Sequence, residues 1–249
     1  MSTITGLALA LLILMVLVGG KQGLSNFLAL GVNTLLMISA VVLMAGGFSP
    51  VIVAVVIGLL VLATTIFLST TRLDVAGPAF VASLLVMTGV LAVVMVGVHF
   101  SATAGFGPED SETLEGFSVY IGVSFEQILI ATGLLGTLGA IAEAASAVAA
   151  GVIELGGEAT EAGLHEIQTT IIGTALNTLF FGFFGGFSAL FIWFTQLKYS
   201  FATIVNNQIF VGELIQVLFS VIAVALTVPV TLWVVRRRQQ PPAHQHLKP

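Results

Sequence analysis

The sequence predicts an all-α, polytopic transmembrane helix bundle of about seven spans, and three observations predict it. Hydrophobic residues make up 57% of the 249 residues and charged residues only 8%, whereas soluble domains carry roughly 25% charged residues. Mean hydropathy is +1.13. Apolar runs of about 20 residues recur along the chain, each long enough to cross a hydrocarbon core of about 30 Å. Because lipid offers no partner to unpaired backbone groups, these runs are predicted to be helices.

The seven predicted spans follow one another within residues 1–235, the predicted transmembrane domain. Gly20 closes the first span, and Gly77-Pro78 begins the fourth, where proline is tolerated in a first helical turn. Residues 236–249 form a polar, proline-rich tail, predicted to be cytoplasmic. The spans cover about residues 4–20, 25–45, 51–69, 77–98, 126–154, 169–196 and 212–235.

Basic residues beside the spans predict the orientation. The run Arg236–Arg238 directly follows the last span, and cytoplasmic segments carry an excess of Lys and Arg. Counting back through seven spans places Lys21 and Arg72 on the same side and Lys198 alone on the other. The sequence therefore predicts a multi-pass protein of the inner membrane, with its N-terminus outside and its C-terminus inside.

Several classes of function are excluded by what the sequence lacks. It has no cysteine, so disulfides and thiolate metal sites are excluded. His244 and His246 are too few for a structural metal site, which normally needs four ligands. No P-loop, HExxH or GxSxG motif is present, and Asp74 and Asp110, the only aspartates, fall in predicted loops. We therefore expect no enzymatic activity, no cofactor and no metal. The net charge of −5 argues against a nucleic-acid partner and leaves the lipid bilayer as the expected environment.

A stretch of small residues in the fifth span, GAIAEAASAVAAGVIEL, carries two carboxylates. Glu143 and Glu154 return to the same helix face about 16 Å apart along the axis, and Glu154 lies near the predicted cytoplasmic end. Glu143 lies about three turns deeper, where an ionised acid costs about 3 kcal/mol. Glu143 is therefore predicted to face a polar interior or to hold its proton, as a proton- or cation-binding group. The alternative is a structural hydrogen-bond network between helices. The small residues also predict close helix contacts and a central position for this span.

Polar side chains in other spans are candidate partners for Glu143. Thr174 and Asn177 lie along one side of the sixth span, and Ser146 flanks the Glu143 stripe. Asn33 in the second span and Gln216 in the seventh are further candidates for one hydrophilic seam. The predicted substrate- or ion-binding residues are Glu143, Ser146, Glu154, Thr174 and Asn177, with Glu154 as the cytoplasmic exit group.

Two motifs in these spans resemble the YibE/F family of bacterial multi-pass membrane proteins. They are GLLGTLGAIAEAASAVAAGVIEL and GTALNTL, which begins at Gly173. Glu143 stands where the family usually has aspartate, and Glu154 matches the end of the first motif. The family's Arg-Asp pair falls on Thr169-Thr170 here, and its basic connection between the motifs is acidic. The resemblance implies a distant member with permease-like architecture. It also implies a paired membrane subunit or a second copy of the chain as partner.

Two hypotheses for the function follow. In the first, the protein is a permease, or a permease subunit, that moves a small solute or ion with Glu143 as its membrane-embedded carboxylate. In the second, it is a non-transporting membrane scaffold or assembly protein, in which the same polar groups hold helices together. The substitution Glu143→Gln separates the two hypotheses, because a transporter loses flux and a scaffold loses stability or a partner.

Overall fold

The computed structural model describes residues 3–101, 124–156 and 160–239, and within these ranges it is helical with no strand. Six of the helices there are long and apolar enough to cross a membrane, which confirms the prediction of an all-α multi-pass bundle. The helices are α1 (Thr3–Ala45), α2 (Pro50–Ser69), α3 (Leu73–Ser101), α4 (Phe125–Leu155), α5 (Glu161–Gly186), α6 (Ser188–Gln196), α7 (Phe201–Val205) and α8 (Gln208–Gln239).

Helix α1 contains both of the first two predicted spans and bends sharply between them. Gly20 has φ 56° and ψ −130°, which is not helical. Met15 and Gly23 would lie about 12 Å apart along a straight helix. In the structure, a Cβ added to Gly23 would instead collide with the Met15 carbonyl oxygen. The chain therefore folds back at Gly20, and glycine is required both at the bend and at the close approach.

The predicted sixth span, 169–196, is divided into α5 and α6 at Phe187 and begins earlier than predicted. Thr160 caps α5: its hydroxyl accepts a hydrogen bond of 3.1 Å from the Gly163 N–H, and Glu161 favours the first turn electrostatically. Two glycines, which are poor helix formers, end α5. By contrast, α4 agrees with its predicted span, 126–154, to within one residue at each end. The first four residues of the predicted tail continue α8, and residues 240–249 lie outside the described chain.

Helix α4 lies at the centre of the bundle and packs against α2, α3, α5 and α8. Its buried residues, such as Leu138 and Ala145, join a main core with Leu62, Val90 and Val228 from the three helices α2, α3 and α8. The central position predicted from its small residues is therefore observed, since small side chains let neighbouring backbones approach.

The Phe219 ring of α8 fits into a slot made by two glycines. A Cβ added to Gly97 of α3 would lie 2.6 Å from the ring, and one added to Gly133 of α4 would lie 3.4 Å from it. Phe219 is 5% exposed. The ring therefore joins α3, α4 and α8, because it fills the space that a side chain at position 97 or 133 would need.

A second, aromatic core lies where α5, α6 and α8 meet. Phe183, Phe194 and Phe210 are buried there. Phe187 stacks on Phe183 with ring centroids 5.1 Å apart, and Tyr199 stacks on Phe194 at 5.6 Å. Helices α5 and α8 contribute to both cores, so they connect the aromatic core to the main core.

One end of the bundle, here called the charged end, collects most basic residues. Arg72 pairs with Glu154 at 3.4 Å, and Arg236 pairs with Glu161 at 2.7 Å, which brings the α2–α3 turn, the end of α4, the start of α5 and the end of α8 together. Lys198 lies beside the aromatic core instead. The basic residues of the charged end are Lys21, Arg72, Arg236, Arg237 and Arg238.

Candidate functional site

Glu143 lines a cavity of about 290 Å³ between α4 and α5. Helix α4 contributes the carboxylate and three alanines around it. Helix α5 contributes three threonines, Thr170, Thr174 and Thr178, together with apolar neighbours. A carboxylate and three hydroxyl groups thus converge on one cleft that opens on the outer surface of the bundle.

The local sequence explains why this space exists. Alanines at 140, 144 and 147 leave room beside Glu143, because their side chains end at Cβ. Closer to the charged end the two helices touch: a Cβ on Gly151 of α4 would lie 3.2 Å from the Ile167 side chain of α5. The helices therefore meet near Gly151 and leave a gap about two turns away, at the level of Glu143.

The threonines offer hydroxyl groups at a regular helical spacing. Residues four apart lie on nearly the same face of a helix, so Thr170, Thr174 and Thr178 follow one stripe of α5. The Thr178 hydroxyl donates a hydrogen bond of 3.0 Å to the Thr174 carbonyl, so its oxygen lone pairs remain available as acceptors. With the Glu143 carboxylate, the cavity offers oxygen ligands of the kind that bind a proton or a cation.

Glu143 lies far from either end of its helix. At 1.5 Å per residue it is about 18 Å from Leu155, at the charged end, and about 27 Å from Phe125. Its side chain is exposed on the surface of the chain. No hydrogen bond or ion pair joins it to any residue in the three described ranges. An ionised acid midway along a membrane helix, with no partner among the described residues, would be costly.

The structure brings only two of the five predicted site residues together. Thr174 shares the cavity with Glu143. Asn177 is exposed on a neighbouring face of α5 and is not part of the cavity wall, and half-buried Ser146 also lies outside it. Glu154 sits at the charged end, paired with Arg72.

Asn33 and Gln216, which the sequence predicts to extend one hydrophilic seam with Glu143, lie at two different helix contacts. Asn33 donates a hydrogen bond of 2.8 Å to the Thr65 hydroxyl and so joins α1 to α2. The Gln216 side-chain oxygen lies 3.8 Å from the position of a Cβ on Gly136, at the contact of α4 with α8. Neither residue lines the Glu143 cavity.

Sequence reasoning left Thr170 and Thr178 out of the predicted site. The signal for them was present, because both are four residues from Thr174 and so lie on its face of the helix. A threonine by itself is a weak signal, because its hydroxyl can bond to the carbonyl of its own helix, as that of Thr178 does.

At the charged end, a cluster of ion pairs surrounds Arg72. Its guanidinium donates to Asp74 at 3.0 Å as well as to Glu154 at 3.4 Å. The hydrogen bond to Asp74 raises the pKa of Arg72, and it holds the pKa of Asp74 below its ordinary value. Asp74 and Glu154 thus have an arginine beside them, whereas no cation lies next to Glu143 among the described residues.

The six long apolar helices, one of which carries a carboxylate midway along its length, define a multi-pass membrane protein. Residues 7–239 match the family model described as YibE/F-like protein. The match covers nearly the whole chain, so the protein belongs to the YibE/F-like family, and the resemblance predicted from its two motifs is confirmed. No curated protein and no solved structure matches the chain.

Proposed function

We propose that this protein is a permease, or a subunit of one, that moves a small solute or ion and performs no covalent chemistry. Glu143 is its proton- or cation-binding carboxylate, and Thr170, Thr174 and Thr178 are its neutral ligands. One observation carries the proposal: the cavity between α4 and α5 joins the deepest acid of the bundle to three hydroxyl groups. Intramembrane acids of this kind mark substrate and proton pathways in membrane proteins.

The exposure of this site supports a role as part of a larger assembly. Glu143 and Asn177 both lie on the outer surface of the chain. A polar side chain facing lipid at this depth costs several kcal/mol, roughly 3 for an ionised acid. A paired membrane subunit, or a second copy of the chain, would cover these residues and complete the wall of the cavity.

We also propose that the charged end faces the cytoplasm in a bacterial inner membrane. Five of the six Lys and Arg residues in the described chain lie at that end, and cytoplasmic flanks are enriched in these residues. We expect alkaline phosphatase fused after Pro249 to be inactive and green fluorescent protein fused there to fluoresce in cells. Phosphatase activity of the C-terminal fusion would place the charged end outside and overturn this orientation.

Carbodiimide labelling tests the proposed site directly, because a hydrophobic carbodiimide modifies protonated carboxyl groups in apolar surroundings. We expect membranes treated with dicyclohexylcarbodiimide to carry the label on Glu143, as read by mass spectrometry across pH. One member of a panel of ions and metabolites should block the reaction by occupying the cavity. Glu154 is the matched control, because it lies at the charged end beside Arg72 and should stay unlabelled.

The labelling also separates transport from a scaffold role. A label on Glu143 that no compound blocks would show that none of the compounds occupies the cavity, and no label at any pH would indicate that the carboxyl is permanently bonded to a neighbouring chain. That result would favour a non-transporting assembly protein. Glu143→Gln should remove the labelled peptide and so confirm the assignment of the modified residue.

A further inference from the structure

A second cleft, independent of Glu143, lies on the surface of α8 at the charged end. Its volume is about 340 Å³, and it is lined by Pro229, Leu232, Trp233, Arg236 and Arg237. These positions are three or four residues apart and therefore share one face of the helix. The face changes character along its length, from apolar residues on the membrane side to two guanidinium groups at the helix end.

The two arginines are held in different ways. The Arg237 guanidinium lies 4.2 Å from the centre of the Trp233 ring, a cation–π contact that keeps it over the cleft. Arg236 donates one hydrogen bond of 2.7 Å to Glu161 of α5, which fixes its side chain and leaves its other N–H groups free to donate. No carboxylate in the described chain pairs with Arg237.

The ligand that fits this face is amphipathic and anionic. Guanidinium groups bind phosphate through paired hydrogen bonds, and tryptophan is enriched where the bilayer meets water. Leu232 and the Trp233 ring offer apolar surface directly below. We propose that this cleft binds an anionic phospholipid, with its phosphate on Arg236 and Arg237 and an acyl chain along Leu232 and Trp233.

Tryptophan fluorescence tests this proposal, because the chain has only two tryptophans. In the full-length Trp193→Phe variant, emission comes from Trp233 alone. We would titrate this protein, in a phosphate-free detergent, with brominated phosphatidylglycerol or brominated phosphatidylcholine. We expect phosphatidylglycerol to quench Trp233 at a lower mole fraction than phosphatidylcholine. Each of Arg236→Gln and Arg237→Gln should weaken the preference about fivefold, the contribution of one basic residue near an anionic surface.

Arg238→Gln is the matched control, because Arg238 lies outside this cleft, against Gly77 of α3. It should keep the preference for phosphatidylglycerol, and far-UV circular dichroism should show that all variants stay helical. Equal quenching by the two lipids in the parent protein would overturn the proposal, as would an equal loss in Arg238→Gln. Displacement of the lipid by millimolar inorganic phosphate would also overturn it, because the cleft would then recognise free phosphate.

Discussion

Replacing Glu143 with glutamine should abolish transport and leave the protein folded. Glutamine keeps the shape of the side chain, but its amide group neither ionises nor takes up and releases a proton. No described residue bonds to Glu143, so the substitution breaks no internal contact there. We expect flux of the solute that blocks carbodiimide labelling to fall to the level of empty vesicles. Proteoliposomes that contain a pH-sensitive dye would measure any coupled proton movement, and the unfolding free energy should change by no more than about 0.5 kcal/mol.

Glu154→Gln is the control for this experiment. It removes a carboxylate from the same helix, but at the charged end, where its pair with Arg72 is exposed. Exposed ion pairs contribute about 0–1 kcal/mol, so this variant should remain stable. Because the sequence also predicts Glu154 to be the cytoplasmic exit group, we expect the Glu154→Gln variant to transport more slowly but measurably. Full flux in Glu143→Gln would contradict the proposed role of Glu143, and a large loss of stability would favour the scaffold.

Phe219→Ala should be among the most destabilising single changes in the bundle. The ring fills the slot between Gly97 and Gly133, and its removal leaves a cavity between three helices. We expect a loss of about 3 kcal/mol, at the lower end for buried aromatic truncations because the unfolded ring remains in lipid rather than water. Unfolding in mixed micelles by increasing fractions of dodecyl sulfate would measure this loss.

A double-mutant cycle tests the slot itself. Gly97→Ala places a Cβ 2.6 Å from the Phe219 ring and should cost about 1–3 kcal/mol through overpacking. In the Phe219→Ala background the same change should cost little, since the new methyl group enters the vacated space. Gly89→Ala, on the same helix but facing open space, is the matched control. Equal costs in both backgrounds would show that the ring does not occupy the slot.

The features that the sequence predicts well are those set by lipid and by regular helix geometry. The α4 boundaries follow from its polar flanks, because backbone and charge cannot enter the hydrocarbon. Its central position follows from its glycines and alanines, because close packing in membranes depends on small residues. The grouping of Lys21 and Arg72 with the C-terminal arginines follows from counting the spans, and the structure places all of them at one end.

The features that escape prediction depend on single backbone torsions and on which helices become neighbours. Gly20 and the glycines before Phe187 look alike in sequence, yet Gly20 adopts a positive φ that folds the chain back, whereas the others only end a helix. Asn177 is three residues from Thr174, which rotates it about 60° to the other side of the stripe. Nothing in the sequence shows that α4 faces the threonine stripe rather than Asn177, since that depends on packing around α5.

Helix α5 connects the two hydrophobic cores of the molecule. The first half of α5 packs on the main core through Leu164, and its far end is held in the aromatic core by Phe183. The stretch that carries the threonines lies between these two anchors, directly opposite Glu143. Packed cores move as units more readily than they deform, so a rotation of the aromatic core against the main core would widen or close the gap at Glu143. Because α5 reaches both cores and also lines the cavity, we expect any such rotation to change the distance between its threonines and Glu143.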